Sequence, residues 1–334
     1  MWSNLRPVNA LEALRANDPG PLEERLRAVG YFPSPELATS LRLSLALDRP
    51  LLLEGPAGVG KTELARSAAR ALGRPLLRLQ CYEGLDESRA IYEWDYAKQI
   101  LYTQLLRDTV RDALADLPEG DAALRAAVER VAALETEFFS ERFLVARPLL
   151  AAIRAESPVV LLIDEVDRSD PEFEALLLEV LADHAITVPE LGTFRAKVAP
   201  LVVLTTNATR ELTDALRRRC LHAQVDYPEP SRELAIVKAR APAIADALAA
   251  RLVDFVRRLR DLELRKPPSI AESIEWARAL LVLGASSIDE ATARATLGVL
   301  LKHGDDRDKA EARLGALLSE KGTAGTAGTG GKTP

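Results

Sequence analysis

A short apolar run at residues 51–53 meets the stretch EGPAGVGKT (residues 54–62), which leads directly into the helical pattern ELARSAARAL. An apolar strand, a glycine-rich turn of the form GxxxxGK[S/T] and a helix start, in that order, constrain the chain to an α/β architecture whose turn binds polyphosphate. Gly55, Gly58 and Gly60 let successive amide hydrogens converge on one point, and the new helix adds the positive end of its dipole. The cradle is expected to run through Gly55, Pro56, Ala57, Gly58, Val59, Gly60, Lys61, Thr62 and Glu63. Within it, Lys61 is expected to reach the β- and γ-phosphates, and the Thr62 hydroxyl to take one position on Mg²⁺. ATP or GTP is the starting expectation.

A second signal is PVVLLIDEVDRSD (residues 158–170), a continuous apolar run of strand length ending in two adjacent acids. Residues 159–163 are too few for an ordinary helix and too uniformly apolar for a half-exposed strand, so they belong in a parallel sheet covered on both faces. Asp164 and Glu165 then sit at the carboxyl end of that strand, where ligands bind in such sheets. Asp164 is suited to hold magnesium through water, and Glu165 to orient and deprotonate the attacking water. LVVLTTN (residues 201–207) reads as another buried strand, with Asn207 expected beside Asp164 and able to hold a water or the γ-phosphate by its amide. Next comes ELTDALRRRC, with Arg217, Arg218 and Arg219 ending a short helix. The helix dipole favours a cation there by ~0.3–1 kcal/mol, which accounts for one arginine better than for three.

The 334 residues, 48% of them hydrophobic, suffice for a sizeable core and about two domains at ~150 residues each. Residues 1–30 read as a helical arm, 31–228 as the nucleotide-binding α/β domain, 229–319 as a helical lid domain and 320–334 as a disordered glycine-threonine tail. A helical hairpin is expected as an insertion at about residues 97–142. Cys81 and Cys220 fit no disulfide or zinc spacing and are expected to be buried thiols; His184, His222 and His303 are ordinary histidines. The N-terminus lacks the order of a signal peptide and no window approaches ~18 uninterrupted apolar residues, so a cytoplasmic protein without membrane contact is expected. A net charge of −6 argues against a nucleic-acid partner.

GPAGVGKT, LLIDEVDR, TTNATREL and LRRRC, in that order over residues 30–315, resemble the AAA+ ATPases. Within them, RLQCYEGLD, FLVARPLLAAI and HAITVPELGTF look like the MoxR branch. YEWDYAKQIL, TRELTDALRRRC and RKPPSIAESIEWA are similar to the CoxD-type accessory ATPase of carbon monoxide dehydrogenase and related molybdenum hydroxylases. The resemblance implies a three-layer P-loop sandwich on a parallel sheet followed by a small all-helical lid. It further implies a homo-oligomeric ring, usually a hexamer, with ATP and Mg²⁺ between subunits. Hydrolysis would use Asp164 and Glu165, Asn207 would sense the nucleotide, and an arginine of the neighbour would complete the site. Arg219 holds the family position, with Arg218 the alternate if the helix ends one residue earlier. MoxR proteins typically act as chaperones maturing metal or cofactor centres, commonly with a partner carrying a von Willebrand factor A domain, so a client metalloenzyme is implied. One position departs from the family. Ala271 occupies the place of the lid arginine that senses nucleotide in cis, leaving Arg265, Lys266 and Arg278 as substitutes. Two other functions share parts of the pattern: an AAA+ motor acting on nucleic acid, and a P-loop kinase of a small acceptor. The kinase would require neither the Asn207 strand, nor the arginine triplet, nor a helical lid.

Overall fold

The computed structural model describes residues 22–102, 104 and 140–319. Among them the strands are, in chain order, β1 (Leu51–Glu54), β2 (Leu76–Gln80), β3 (Tyr92–Trp94), β4 (Leu144–Ala146), β5 (Val160–Asp164), β6 (Ala185–Val188), β7 (Gly192–Arg195), β8 (Leu201–Thr206) and β9 (Leu221–Gln224). Five of these form one sheet in the order β2-β5-β8-β1-β9, and every neighbouring pair is parallel. The apolar runs explain the arrangement. Every residue of β5 and of β8 is buried, as are the first three of β1, so both faces of the central strands are covered. The carboxyl ends of β1, β5 and β8 carry the phosphate loop, the acid pair and Asn207. The expected strand at residues 159–163 is shifted by one, so that Asp164 is the last residue of β5 and not the first beyond it.

Local chemistry sets the helix limits around the sheet. Helix Pro35–Leu47 starts where the Ser34 side chain accepts from the Leu37 amide (3.2 Å) with Pro35 in the first turn, and ends at Asp48 in the left-handed region. Helix Lys61–Leu72 springs directly from the glycine-rich loop. Against it rests helix Leu22–Ala28, which buries Leu22 and Leu26. This is the described part of the expected N-terminal arm. Leu52, Leu161, Ile163, Val202 and Leu204 of the sheet share one core with Leu149 and Ile153 of helix Pro148–Ile153 and with Phe173 and Leu177 of helix Pro171–Asp183.

Two antiparallel pairs flank the sheet. β6 and β7 form a hairpin that pairs Val188 with Gly192 and turns through residues 189–191. β3 and β4, paired from Tyr92↔Ala146 to Trp94↔Leu144, join two segments in which no periodicity is visible. The helical hairpin expected at 97–142 falls almost wholly outside the described residues, as do residues 1–21 and the tail. Both cysteines are buried and free, and burial pushes each thiol up to about 12. No helix among the described residues is long and apolar enough to cross a membrane.

The chain divides into two compact units, the first ending at Val225 and the second beginning at Asp226, with the loop tip Ala57–Gly60 grouped in the second. Beyond Asp226 the described residues form helices only, from Pro230–Arg240 to Leu314–Leu318. Their core is centred on Trp276, whose ring lies 5.0 Å from that of Phe255 and whose Nε1 donates to Thr296 Oγ1 at 2.7 Å. Arg260 donates to both carboxylate oxygens of the fully buried Glu233 at 2.7 Å each and stacks 4.5 Å from the Tyr227 ring. A buried pair held at this many points orders the helices it joins, although its net stabilising effect is small beside the apolar core.

Candidate nucleotide site

The loop after β1 turns at once. Gly55 has φ +153°, and a Cβ there would lie 2.1 Å from the carbonyl oxygen of Val225; Gly58 lies in the left-handed region at +78°. Lys61 opens the helix with its side chain 6% exposed and folds back over the loop. Its ammonium donates to the carbonyls of Gly55 (2.6 Å) and Pro56 (2.7 Å) and to Oδ1 of Asn207 (2.9 Å). Burial pushes its pKa below the usual lysine value, against the opposing pull of Asp167, Asp164 and Glu165. A mobile anion with several oxygens is the ligand such a cation is built to meet.

Asp164, nearly buried, has both carboxylate oxygens engaged. Oδ1 accepts from the hydroxyls of Thr62 (2.8 Å) and Thr205 (2.7 Å), and Oδ2 from Arg78 Nη2 (2.7 Å) and Nε (3.2 Å). The strand register corrects one expectation. With Ile163 opposite Leu204, Thr205 is the residue beside Asp164, and Asn207, two places further on, meets Lys61. Glu165 follows in the left-handed region (φ 56°), which swings its carboxylate toward the end of β2. There its Oε2 accepts from Gln80 Nε2 at 3.1 Å and pairs with Arg168 at 3.0 Å. Arg78 also contacts the Gln80 side-chain oxygen, so both acids are linked through the end of β2.

The donor set suits Mg²⁺, which takes hard oxygen ligands and keeps several waters. Thr62 Oγ1 and Asp164 Oδ1 stand together, and no cluster of three His, Cys, Asp or Glu side chains able to cage a metal occurs among the described residues. Thr62 and Asp164 are therefore the residues that would hold the ion beside bound phosphates. Glu63 does not join them, since its carboxylate is taken by Arg70 of its own helix at 2.6 Å.

Two acids that sequence reasoning missed organise the far side of the site. Asp167 Oδ2 accepts from the Asn207 amide (3.2 Å) and from the Thr209 amide (3.0 Å) and hydroxyl (2.6 Å). Burial alone would raise its pKa, but these hydrogen bonds outweigh it and hold the carboxyl below its usual value. Glu174, fully buried, accepts from Thr213 N (2.8 Å) and Oγ1 (2.7 Å) and pairs with Arg210. Neither could be picked out in advance, because an acid two or nine residues past Glu165 has no distinguishing pattern.

Thr213 caps helix Asp214–Arg219, which carries all three arginines in its last turn. They separate. Arg217 pairs with Glu54 at 3.4 Å, whereas Arg218 and Arg219 are exposed and neither has an acidic partner among the described residues; the Arg219 guanidinium donates to the Ala215 carbonyl at 3.4 Å. At the helix end Arg49 donates to the carbonyls of Arg218 (2.9 Å), Arg219 (3.3 Å) and Cys220 (3.3 Å). In the helical unit, Ala271 lies within the capping box formed by Ser269 and Glu272 and offers no charge. The amides of Arg265 and Lys266 bind Asp306 (2.8 and 3.1 Å), and Arg278 donates to the Arg240 carbonyl (3.3 Å).

Residues 42–194 match a family model described as an AAA ATPase domain. The chain is 27% identical over 253 residues to the gas vesicle ATPase GvpN of Ancylobacter aquaticus, covering 72% of this chain and 63% of that protein. It is 23% identical over 214 residues to the protein NorQ of Paracoccus denitrificans, covering 62% and 63% of the two chains. It thus spans less than two thirds of the length of these relatives. Among solved structures, the RuvB Holliday junction branch migration motor of Thermotoga maritima aligns with 83% of this chain and 69% of its own at 18% identity, with a TM-score of 0.40. The matched segment holds the phosphate loop and the acid pair. Residues 42–194 are thus similar to the AAA ATPase domain, a class of P-loop domain that hydrolyses ATP.

Proposed function

We propose that the chain is a MoxR-type AAA+ ATPase that works as a homo-oligomeric ring, of hexameric form, and uses ATP hydrolysis to remodel a client protein. The observation that carries this reading is the convergence of Lys61, Thr62, Asp164 and Asn207 on one site, while Arg218 and Arg219 are exposed with no acidic partner among the described residues. Lys61 holds the β- and γ-phosphates and Thr62 and Asp164 hold Mg²⁺, which neutralises phosphate charge when bound. Glu165 orients and deprotonates water; its contacts to Gln80 and Arg168 keep its carboxylate aimed. Asn207 reports on the γ-phosphate through the bond it shares with Lys61, and Arg219 serves the site of the adjacent subunit, with Arg218 as the alternate. The domain plan is an N-terminal arm, a nucleotide domain to residue 228 and a helical lid to residue 319.

For the client, the CoxD-like segments favour a metalloenzyme of the molybdenum hydroxylase type, matured in the cytoplasm together with a von Willebrand factor A domain partner. The likeness to GvpN and NorQ supports the ATPase and branch assignments and leaves the client to experiment. Deleting the gene should leave the hydroxylase as inactive enzyme with an incomplete metal centre, measured by metal content and turnover. A fully active client in the deletion strain would overturn the client assignment, and hydrolysis stimulated by DNA would favour a nucleic-acid motor instead.

A further inference from the structure

Helix Asp214–Arg219 has six residues, too few to be stable alone, so its direction is imposed from outside. Its apolar side, Leu216 with Leu212 and Cys220 beside it, joins the core shared with Phe173 and Leu177. Polar contacts then fix both ends. Arg49 grips the last carbonyls, as described above. At the start, the two oxygens of Glu174 are divided: Oε2 takes the amide and hydroxyl of the capping Thr213, and Oε1 takes Arg210. Arg210 also donates to the Ser169 carbonyl at 2.8 Å. Ser169 and Glu174 lie four and nine residues after Glu165, on the segment that continues from the acid pair.

We propose that Glu174 is a positioning residue for the exposed arginine of this helix, so that its loss damages the nucleotide site of the neighbouring subunit and leaves its own subunit's site intact. The proposal rests on the shared-site reading above. Among the described residues the Glu174 carboxylate hydrogen-bonds neither Lys61 nor the acid pair; its side-chain partners, Arg210 and Thr213, lie in the segment leading to the arginines. Its carboxylate is fully buried and accepts from Arg210 and Thr213, so an amide in its place would turn a donor toward one of them. The helix then shifts at its capped end, and displacements near 1 Å at a reacting centre cost on the order of a hundredfold in rate.

The test uses full-length protein and mixtures of variants, with mixed rings verified by native mass spectrometry. Glu174→Gln alone should retain ATP affinity within about threefold while kcat falls ~10- to 100-fold. Mixed with Glu165→Gln it should regain activity, because the Glu165→Gln subunit lends a well-placed arginine to an intact acid pair. Mixed with Arg219→Ala it should not, since both variants lack the same contribution. Recovery in that second mixture would place the defect in cis and overturn the proposal. The mixture of Arg219→Ala with Glu165→Gln is the control: failure to complement there overturns the shared-site reading itself, and the proposal with it. Should Glu174→Gln not fold, Thr213→Val carries the same expectations and Thr213→Ser should rescue it. A fully active Thr213→Val would sink the idea.

Discussion

Lys61 carries its charge where water hardly reaches it, and three oxygens from the loop and Asn207 stand in for solvent. A bound γ-phosphate would exchange neutral acceptors for charged ones, which strengthens each contact. Lys61→Ala should therefore weaken ATP binding by about 1.5–3 kcal/mol, on the order of 10- to 150-fold in Kd. Isothermal titration checks it, and unchanged affinity would contradict the phosphate-loop assignment. Glu165 differs in kind. It is held by Gln80 and Arg168, one-third exposed, and makes no contact with Lys61 or Thr62. Glu165→Gln should bind ATP normally and lose turnover by ~10²- to 10⁴-fold, because the amide keeps the shape but cannot accept a proton from water. Near wild-type hydrolysis by this variant would mean that another group is the base.

At the scale of elements, the close approach of β1 and β9 governs the loop. The Val225 amide donates to the Glu54 carbonyl at 2.8 Å, and the space above Gly55 is filled by the Val225 carbonyl. Gly55→Ala must push these strand ends apart, which should destabilise the fold by about 1–3 kcal/mol and loosen nucleotide binding with it. Thermal unfolding with and without ATP measures both effects, and a variant with unaltered midpoint and affinity would show that the strands part freely. The strand, loop and helix at residues 51–72 were legible in the sequence because the chemistry of phosphate binding uses contiguous residues. The same holds for the acid pair at the end of β5. Register was not legible: in strands buried on both faces no alternation marks the pairing, so Thr205 could not be foreseen beside Asp164. Arg78, Gln80, Asp167, Glu174 and Arg49 reach the site or the arginine helix from other elements, through tertiary contacts that leave no spacing to read. The β3–β4 pair escaped for a related reason, since its two strands, Tyr92–Trp94 and Leu144–Ala146, lie far apart in sequence.

For the molecule as a whole, the arginine helix sets the decisive expectation. Phosphoryl transfer spreads negative charge over the γ-phosphate oxygens, and a guanidinium delivered to them is worth ~10³ to 10⁵ in rate. Around the acid pair the chain's own guanidinium groups are committed: Arg78 to Asp164, Arg168 to Glu165 and Arg217 to Glu54. Among the described residues Arg218 and Arg219, unlike Arg217, have no acidic partner, and the helix that bears them is clamped at both ends by Glu174 and Arg49. A cation held rigidly with no acid beside it among the described residues is suited to act on another copy of the chain. Specific ATPase activity should accordingly rise with protein concentration and level off once rings have assembled, in step with the mass measured by light scattering. Arg219→Ala should assemble and bind ATP with the same concentration dependence, yet turn over at least ~10³-fold more slowly. If specific activity stayed constant from the monomer to the assembled range, and Arg219→Ala kept full turnover, the site would be complete within one chain. The exposed arginines would then be no more than a cationic helix end favoured by the dipole.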